Sequence, residues 1–190
     1  SEHPDVAASL NNIANMHSRM GKLPEALEGY KESLRITKLR LGDEHVHVAT
    51  RLNNIAVVLA AQGQGVEALE MYEEALGIQT KRLGSEHPDV ASSLNNIANV
   101  HSEMGKLPEA LEGYKESLRI TKLRLGDEHV HVATRLNNIA VVLAAQGQGV
   151  EALEMYEEAL GIQTKRLGSE HPDVAASLNN IANMHSRMGK

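Results

Sequence analysis

The sequence lacks several residue types on which whole classes of protein depend. It has no cysteine, which excludes disulfides, thiolate metal sites and cysteine catalysis. It also has no phenylalanine, no tryptophan and only four tyrosines, although 42% of its 190 residues are hydrophobic. The core must therefore be built from leucine, isoleucine, valine, alanine and methionine, a composition typical of helical proteins.

Long apolar runs and basic clusters are missing as well. No stretch of 18 apolar residues is present, so the sequence predicts no membrane span, and we expect no signal peptide. A net charge of −6 without a cluster of lysine and arginine argues against nucleic acid or a membrane as partner. We expect a cytoplasmic protein and, because the chain opens and closes inside a repeating unit, a fragment of a larger one.

What the sequence does contain is one unit of 42 residues written four and a half times. The pentapeptide LNNIA marks each copy. We treat residues 1–190 as a single repeat array, and its units are residues 1–42, 43–84, 85–126, 127–168 and the half unit 169–190.

The units alternate between two types. Units two and four are identical at all 42 positions, and units one and three differ at three, whereas odd and even units agree at only 21 or 22 of 42. The chemical period is therefore 84 residues. Copies this similar indicate recent duplication or deliberate design.

Each unit has the pattern of two amphipathic helices joined at a glycine. In unit one the first apolar stripe is Val6, Leu10, Ile13, His17 and Met20, and the second is Leu23, Leu27, Tyr30, Leu34 and Leu41. Gly21 and Gly42 end the two helices. Because Gly29 and Gly77 fall within helices, where glycine is unfavourable, we predict that a neighbouring helix approaches closely at both.

Two helices cannot bury both stripes on each other, so the units must stack into an all-α solenoid of nine helices. The residues Leu10, Ile13, Ala14, Gly21, Glu25, Ala26, Leu27, Tyr30 and Ser33 form a pattern that resembles the tetratricopeptide repeat. The 42-residue length is similar to the repeats of kinesin light chains and of nucleotide-binding signalling proteins of the STAND type. The resemblance implies a right-handed superhelix whose concave groove, lined by first helices, receives a peptide, and it implies no catalysis.

The resemblance also indicates which residues line that groove. The predicted groove residues are Asn11, Asn15, Arg19, Asn53, Asn95, Asn99, Glu103, Asn137, Asn179, Asn183 and Arg187. Helical spacing agrees, since Asn11 and Asn15 lie away from the apolar stripe. We therefore predict that the first asparagine of each LNNIA contacts a peptide backbone, whereas the second, as at Asn12 and Asn54, bonds groups between units. Few cations face the predicted groove, which argues against an acidic ligand.

The ten histidines do not form a recognisable metal site. His45 and His47 lie two residues apart at the start of a predicted helix, so their side chains diverge and do not converge on one ion. We interpret His3, His87 and His171 as parts of the turns between units, and His17, His101 and His185 as packed, hydrogen-bonded side chains of the apolar stripe. With no phosphate loop and no nucleophile motif, we predict no cofactor, no metal and no enzymatic activity.

Two functions remain open from sequence. The first is a non-catalytic scaffold that binds a peptide segment of a protein partner in the groove. The alternative is a structural array that associates end to end, because Val174, Leu178 and Ile181 in the last half unit lack a second helix within the sequence.

Overall fold

The computed structural model describes residues 4–189, and within this range it contains nine α-helices and no strand. The helices are α1 (Pro4–Arg19), α2 (Leu23–Leu41), α3 (Val46–Ala61), α4 (Gly65–Leu83), α5 (Pro88–Glu103), α6 (Leu107–Leu125), α7 (Val130–Ala145), α8 (Gly149–Leu167) and α9 (Pro172–Arg187). We call α1, α3, α5, α7 and α9 the first helices and α2, α4, α6 and α8 the second helices. The predicted all-α architecture of helical hairpins is confirmed.

The glycine-terminated turns fold as their sequence requires. Gly21 has a φ of 73°, a backbone conformation that other residues rarely adopt. The turn lets the N–H of Lys22 reach back to the carbonyl of His17 at 2.9 Å, which satisfies an end carbonyl of α1. The chain then enters α2 at Leu23.

The chain divides into two compact units, residues 1–100 and residues 101–190, which we call the N-terminal half and the C-terminal half. In the N-terminal half, α1 packs against α2, α2 against α3 and α3 against α4. The apolar residues of α3 at the positions of the first unit-one stripe lie in this core. Val48, Leu52, Ile55 and Leu59 are 0%, 1%, 2% and 8% exposed.

The C-terminal half repeats this packing with α6 to α9. Val132, Ala133 and Leu136 of α7 form a cluster with Ala159 and Ile162 of α8. In both halves, buried alanines, valines, isoleucines and leucines form most of the clusters, and further leucines and methionines pack against them. The core is therefore built without phenylalanine or tryptophan, as the composition requires.

The first unit departs from the predicted core. Ile13 and Met20 are 55% and 62% exposed, although their spacing placed them on the apolar stripe. Ile55, which occupies the position of Ile13 in the second unit, is 2% exposed. The apolar stripe therefore includes positions that are covered only when another unit precedes.

The prediction for the two glycines within helices is half right. A Cβ on Gly29 would lie 3.0 Å from the Cβ of Ala14, so α2 does approach α1 closely there. A Cβ on Gly77 would meet nothing within 4 Å. The prediction of a close approach is wrong for Gly77.

Candidate protein-binding face

Each first helix carries a stripe of side chains that packs against no other helix. On α3 the exposed residues His47, Thr50, Val57 and Ala61 are spaced by three, seven and four, so they lie on one side. We call this side of the first helices the first-helix face. The intervening positions of α3 are buried or half-buried, so this side is its most open surface.

The first-helix face alternates in character between even and odd units. On α3 and α7 it presents Val57 and Val141, which are 48% and 50% exposed. On the odd helices the same position holds Asn15, Asn99 and Asn183, and the outer end holds Arg19, Glu103 and Arg187. The face is therefore apolar at this position on α3 and α7 and polar on the odd helices.

The first asparagine of LNNIA lies mainly between helices. Asn11 is 7% exposed, and its Oδ1 accepts a hydrogen bond of 2.8 Å from Nδ2 of Asn54. Asn95 is equally buried, whereas Asn179 is exposed. The amide of Asn11 thus stabilises the contact between the first two units.

Two further first asparagines join polar networks between units. Nδ2 of Asn53 donates to Oγ of Ser93 at 3.1 Å, and this hydroxyl donates to Oε1 of Gln79 at 2.7 Å. The C-terminal half contains the same network, in which Asn137 donates to Ser177 at 3.2 Å and Ser177 donates to Gln163 at 2.7 Å. Both networks connect an even unit to the odd unit after it.

These contacts place asparagines of both positions of the motif between units. Asn54, a second asparagine, does bond between units as predicted, but its partner is the first asparagine Asn11. Both amides of the motif therefore take part in the joint between the first two units. The buried Asn11 and Asn95 offer a ligand little surface.

Asn15 is also engaged inside the protein. The hydroxyl of Tyr30 donates to Oδ1 of Asn15 at 2.5 Å, which satisfies the one polar atom of a buried tyrosine. Burial raises the pKa of Tyr30 and raises that of Tyr114 to about 12, so both phenols stay protonated at neutral pH. In even units valine replaces this asparagine, which leaves the equivalent tyrosine without the same acceptor in its own unit.

The C-terminal half contains a pocket of about 200 Å³ on the first-helix face between α7 and α9. It is lined by Val141, Ala144, Tyr156, Asn180, Asn183, Met184 and Arg187. Val141, Ala144 and Met184 give the wall an apolar part, Tyr156 and Asn180 add polar groups to it, and the exposed Asn183 and Arg187 stand at the rim. The pocket therefore suits one apolar side chain of a segment whose backbone bonds to the rim.

A second pocket, of about 270 Å³, lies in the N-terminal half between α1, α2 and α3. It is lined by Asp5, Ala7, Ala8, Ile36, Thr37, Arg40, Leu41, His47 and Arg51. Arg51 is half-buried, and its Nε has no hydrogen-bond acceptor among the described residues. Burial lowers the pKa of Arg51, although the guanidinium stays charged at neutral pH.

The structure thus brings Asn183 and Arg187 together at one pocket and places Arg19 and Glu103 at exposed ends of α1 and α5. The sequence analysis did not name Tyr156, Ala144 or Met184 among the groove residues. A signal was available for Tyr156, because a tyrosine in an otherwise aliphatic stripe needs a polar neighbour for its hydroxyl.

The histidines have two structural roles. Nδ1 of His45, His87, His129 and His171 accepts from the backbone N–H two residues later, at 3.1 to 3.2 Å, and so caps the start of a first helix. The interpretation of His87 and His171 as turn residues fits this geometry, and His3 lies outside the described residues. His17 and His101 pack as predicted, but their buried Nδ1 atoms have no partner in the described range, so the predicted hydrogen bond is missing at these atoms. Residues 4–189 contain no group of three potential metal ligands.

Comparisons with known proteins agree with this architecture. The family described as tetratricopeptide repeat matches residues 5–80, 47–123 and 131–190. A crystal structure from Podosopora anserina, of a protein assigned to the kinesin light chains with nearly identical TPR-like repeats, is 31% identical, with a TM-score of 0.84 over 100% of this chain and 90% of that one. BtubC from P. vanneervenii has the same fold at 24% identity, with a TM-score of 0.86 over 98% of this chain and 74% of that one.

The predicted TPR-like solenoid is confirmed by these structures. No curated protein matches the chain. Among the described helices, none is long and apolar enough to cross a membrane.

Proposed function

The chain belongs to the tetratricopeptide repeat family, and we propose that its first-helix face binds an extended segment of a protein partner. Repeats of this family generally mediate protein–protein interactions, and the family is generally non-catalytic. We assign this general role to the first-helix face and to contact with an extended peptide segment.

The observation that carries the proposal is the pocket between α7 and α9. Its valine, alanine and methionine side chains form an apolar part of a cavity that is open to solvent, and covering this part with a partner's apolar side chain is favourable because it removes apolar surface from water. Asn183 adds an amide that can donate and accept, which suits a peptide backbone regardless of its sequence. Arg187 adds guanidinium donors at the same rim.

In our proposal the binding surface also includes exposed residues of the odd units that the sequence predicted to line the groove. Arg19 and Glu103 occupy the position of Arg187 on α1 and α5, and they carry opposite charges. We propose that they select among partner segments by charge. Asn11 and Asn95 contribute indirectly, by holding neighbouring helices in register.

The test uses peptides selected from a library for binding to the intact chain. Val141→Glu places a charge in the apolar wall, and we expect affinity to fall about tenfold or more, since 1.4 kcal/mol corresponds to a factor of ten. Asn183→Ala should weaken the same peptides by removing the amide at the rim. Affinities would be measured by titration calorimetry.

Glu154→Ala is the matched control, because Glu154 is exposed on α8 and lies outside the pocket. We expect this variant to bind as the parent does. Unchanged affinity in both Val141→Glu and Asn183→Ala would show that the selected peptides do not use the first-helix face.

A further inference from the structure

Arg51 of α3 is a half-buried cation in the joint between units one and two. A guanidinium carries five N–H donors and no acceptor, so its surroundings must supply the acceptors. The Nε of Arg51 is buried and has no acceptor among the described residues. Burial lowers the pKa of Arg51, and within the described range the Tyr30 phenol is the group that opposes this shift. No carboxylate of that range therefore offsets the charge of Arg51.

The next joint along the chain has a different pair of polar residues in this place. Ser93 occupies the position of Arg51 one unit later, and Gln79 occupies that of Thr37. The hydroxyl of Ser93 donates to Gln79 at 2.7 Å. At the joint of Arg51, the hydroxyl of Thr37 instead donates to the carbonyl of Ser33, also at 2.7 Å. The Nε of Arg51 thus lacks the bonded neighbour that Ser93 has.

Arg51 borders the pocket of about 270 Å³ between α1, α2 and α3. The buried side chains of Ala7 and Ile36 give this pocket an apolar wall. Arg40, near the end of α2, and His47, one turn before Arg51 on α3, are exposed residues of the lining. A cavity with an apolar wall and two arginines suits an anion that is carried on an apolar stem.

One carboxylate borders the same pocket. Asp5 is exposed at the start of α1, and it does not contribute to the pKa of Arg51. Asp5 therefore does not take the place of an anion at this guanidinium. Two arginines against one aspartate leave the lining with a positive formal charge.

We propose that the pocket between α1, α2 and α3 binds a carboxylate group, whose oxygens accept hydrogen bonds from the guanidinium of Arg51. Guanidinium and carboxylate match because two parallel N–H groups can donate to two oxygens. Arg40 adds a second positive charge, and the apolar wall contacts the stem that carries the carboxylate. The group belongs either to a free small acid or to an acidic side chain of a protein segment. The proposal does not require that the first-helix face binds a peptide.

The even units are identical, so α7 carries the same arginine. The Nε of Arg135 is also buried without an acceptor among the described residues. Arg124 and His131 occupy the positions of Arg40 and His47. Arg135 therefore offers a matched control for substitutions at Arg51.

The test titrates the intact chain with two carboxylate probes, each paired with a neutral control. Glutarate represents a free acid, and glutaramide is the neutral diamide of the same length. A short alanine and glycine peptide with one glutamate represents a side chain, and its control has glutamine instead. Methyl NMR of Ile36, at constant ionic strength, reports on this pocket.

We expect at least one carboxylate probe to shift the Ile36 methyl signals to saturation, and neither neutral control to do so. Saturation by glutarate alone would identify a free acid as the source, whereas tighter binding of the glutamate peptide would identify a side chain. Absence of a shift with both carboxylates, or equal shifts with the neutral controls, would overturn the proposal.

The variants assign the binding to Arg51. Arg51→Ser introduces the residue that the odd units hold at this position, and we expect affinity at Ile36 to fall about tenfold or more, because charge-assisted hydrogen bonds are lost. Arg135→Ser is the same change in the C-terminal half and should leave the Ile36 titration unchanged. His47→Asp introduces the odd-unit residue at an exposed position and should block the pocket with a competing carboxylate.

Circular dichroism checks that each variant is folded, and His47→Asp decides the matter if Arg51→Ser does not fold. Either of these two variants binding like the parent would overturn the proposal. Loss of binding at Ile36 in Arg135→Ser would do the same, since the effect would then not be local to this pocket.

Discussion

The joints between units depend on single polar side chains in a core that is otherwise aliphatic. Ser93 links Gln79 to Asn53, and Asn11 links α1 to α3 through Asn54. Buried polar groups of this kind are costly when one partner is lost, because the remaining groups stay desolvated without a bond. These bonds therefore fix the register in which one unit packs on the next.

The serine pair at the start of α5 provides a direct test. Ser93 is 1% exposed and bonded on both sides, while its neighbour Ser92 is exposed and bonds only to the carbonyl of Pro88. We expect Ser93→Ala to lower the free energy of unfolding by about 1–3 kcal/mol, since Gln79 and Asn53 lose their shared partner. Ser92→Ala should stay within about 0.5 kcal/mol of the parent.

Urea unfolding followed by circular dichroism measures both variants. Equal midpoints for Ser93→Ala and Ser92→Ala would contradict a structural role for the Ser93 network.

The sequence could not show which of the two asparagines in LNNIA bonds between units, because the two are adjacent. Consecutive residues of a helix differ by 100° in direction, as 3.6 residues complete a turn. A pair at the border between the packed side and the open side can thus point either way, and spacing within one helix does not decide. The deciding information is the position of α3 relative to α1, which brings Asn54 within 2.8 Å of Asn11.

At the scale of the helices, only one of the two glycines that lie within helices is at a close contact with another helix. Gly29 lies against Ala14, whereas Gly77 faces open space. We expect Gly77→Ala to stabilise the protein by about 0.5–1 kcal/mol, because alanine restricts the unfolded chain and favours the helix. Gly29→Ala should be destabilising, since its Cβ would meet the Cβ of Ala14 at 3.0 Å.

Thermal unfolding of the two variants under identical conditions checks this prediction. The same direction of change in both would mean that the contact between Gly29 and Ala14 does not limit how closely α2 approaches α1.

The starts of α3 and α7 should make stability depend on pH. His47 and His131 are exposed residues, but their slight burial lowers the pKa of each, and the charges of His45 and Arg51, or of His129 and Arg135, act in the same direction. The unfolded chain then binds protons at a higher pH than the native protein. Stability is therefore present at neutral pH and is lost as the pH falls through the usual histidine pKa toward the lowered native value.

We expect the melting temperature of the parent chain to fall between about pH 7 and about pH 5, and that of the His47→Gln/His131→Gln variant to fall less. Scanning calorimetry at several pH values measures both. Parallel curves for the parent and the double variant would exclude these two histidines as the source.

At the scale of the whole molecule, the sequence predicts the fold because the repeat leaves few alternatives. A period of 42 residues with two apolar stripes and a glycine after each fixes helical hairpins that must stack. The helix bounds and the buried residues Val48, Leu52 and Ile55 follow from that pattern. The pockets could not be predicted, because each is formed by side chains from two or three helices whose separation the pattern does not contain.

The central claim is that partners bind on the first-helix face and not on the second helices. Two exposed valines in the C-terminal half report on the two surfaces, namely Val141 on α7 and Val150 on α8, which are 50% and 58% exposed. Methyl NMR of the intact chain, titrated with a selected peptide, observes both in one spectrum. The account predicts that the methyl signals of Val141 shift and those of Val150 stay in place; shifts at Val150 with Val141 unchanged would contradict it.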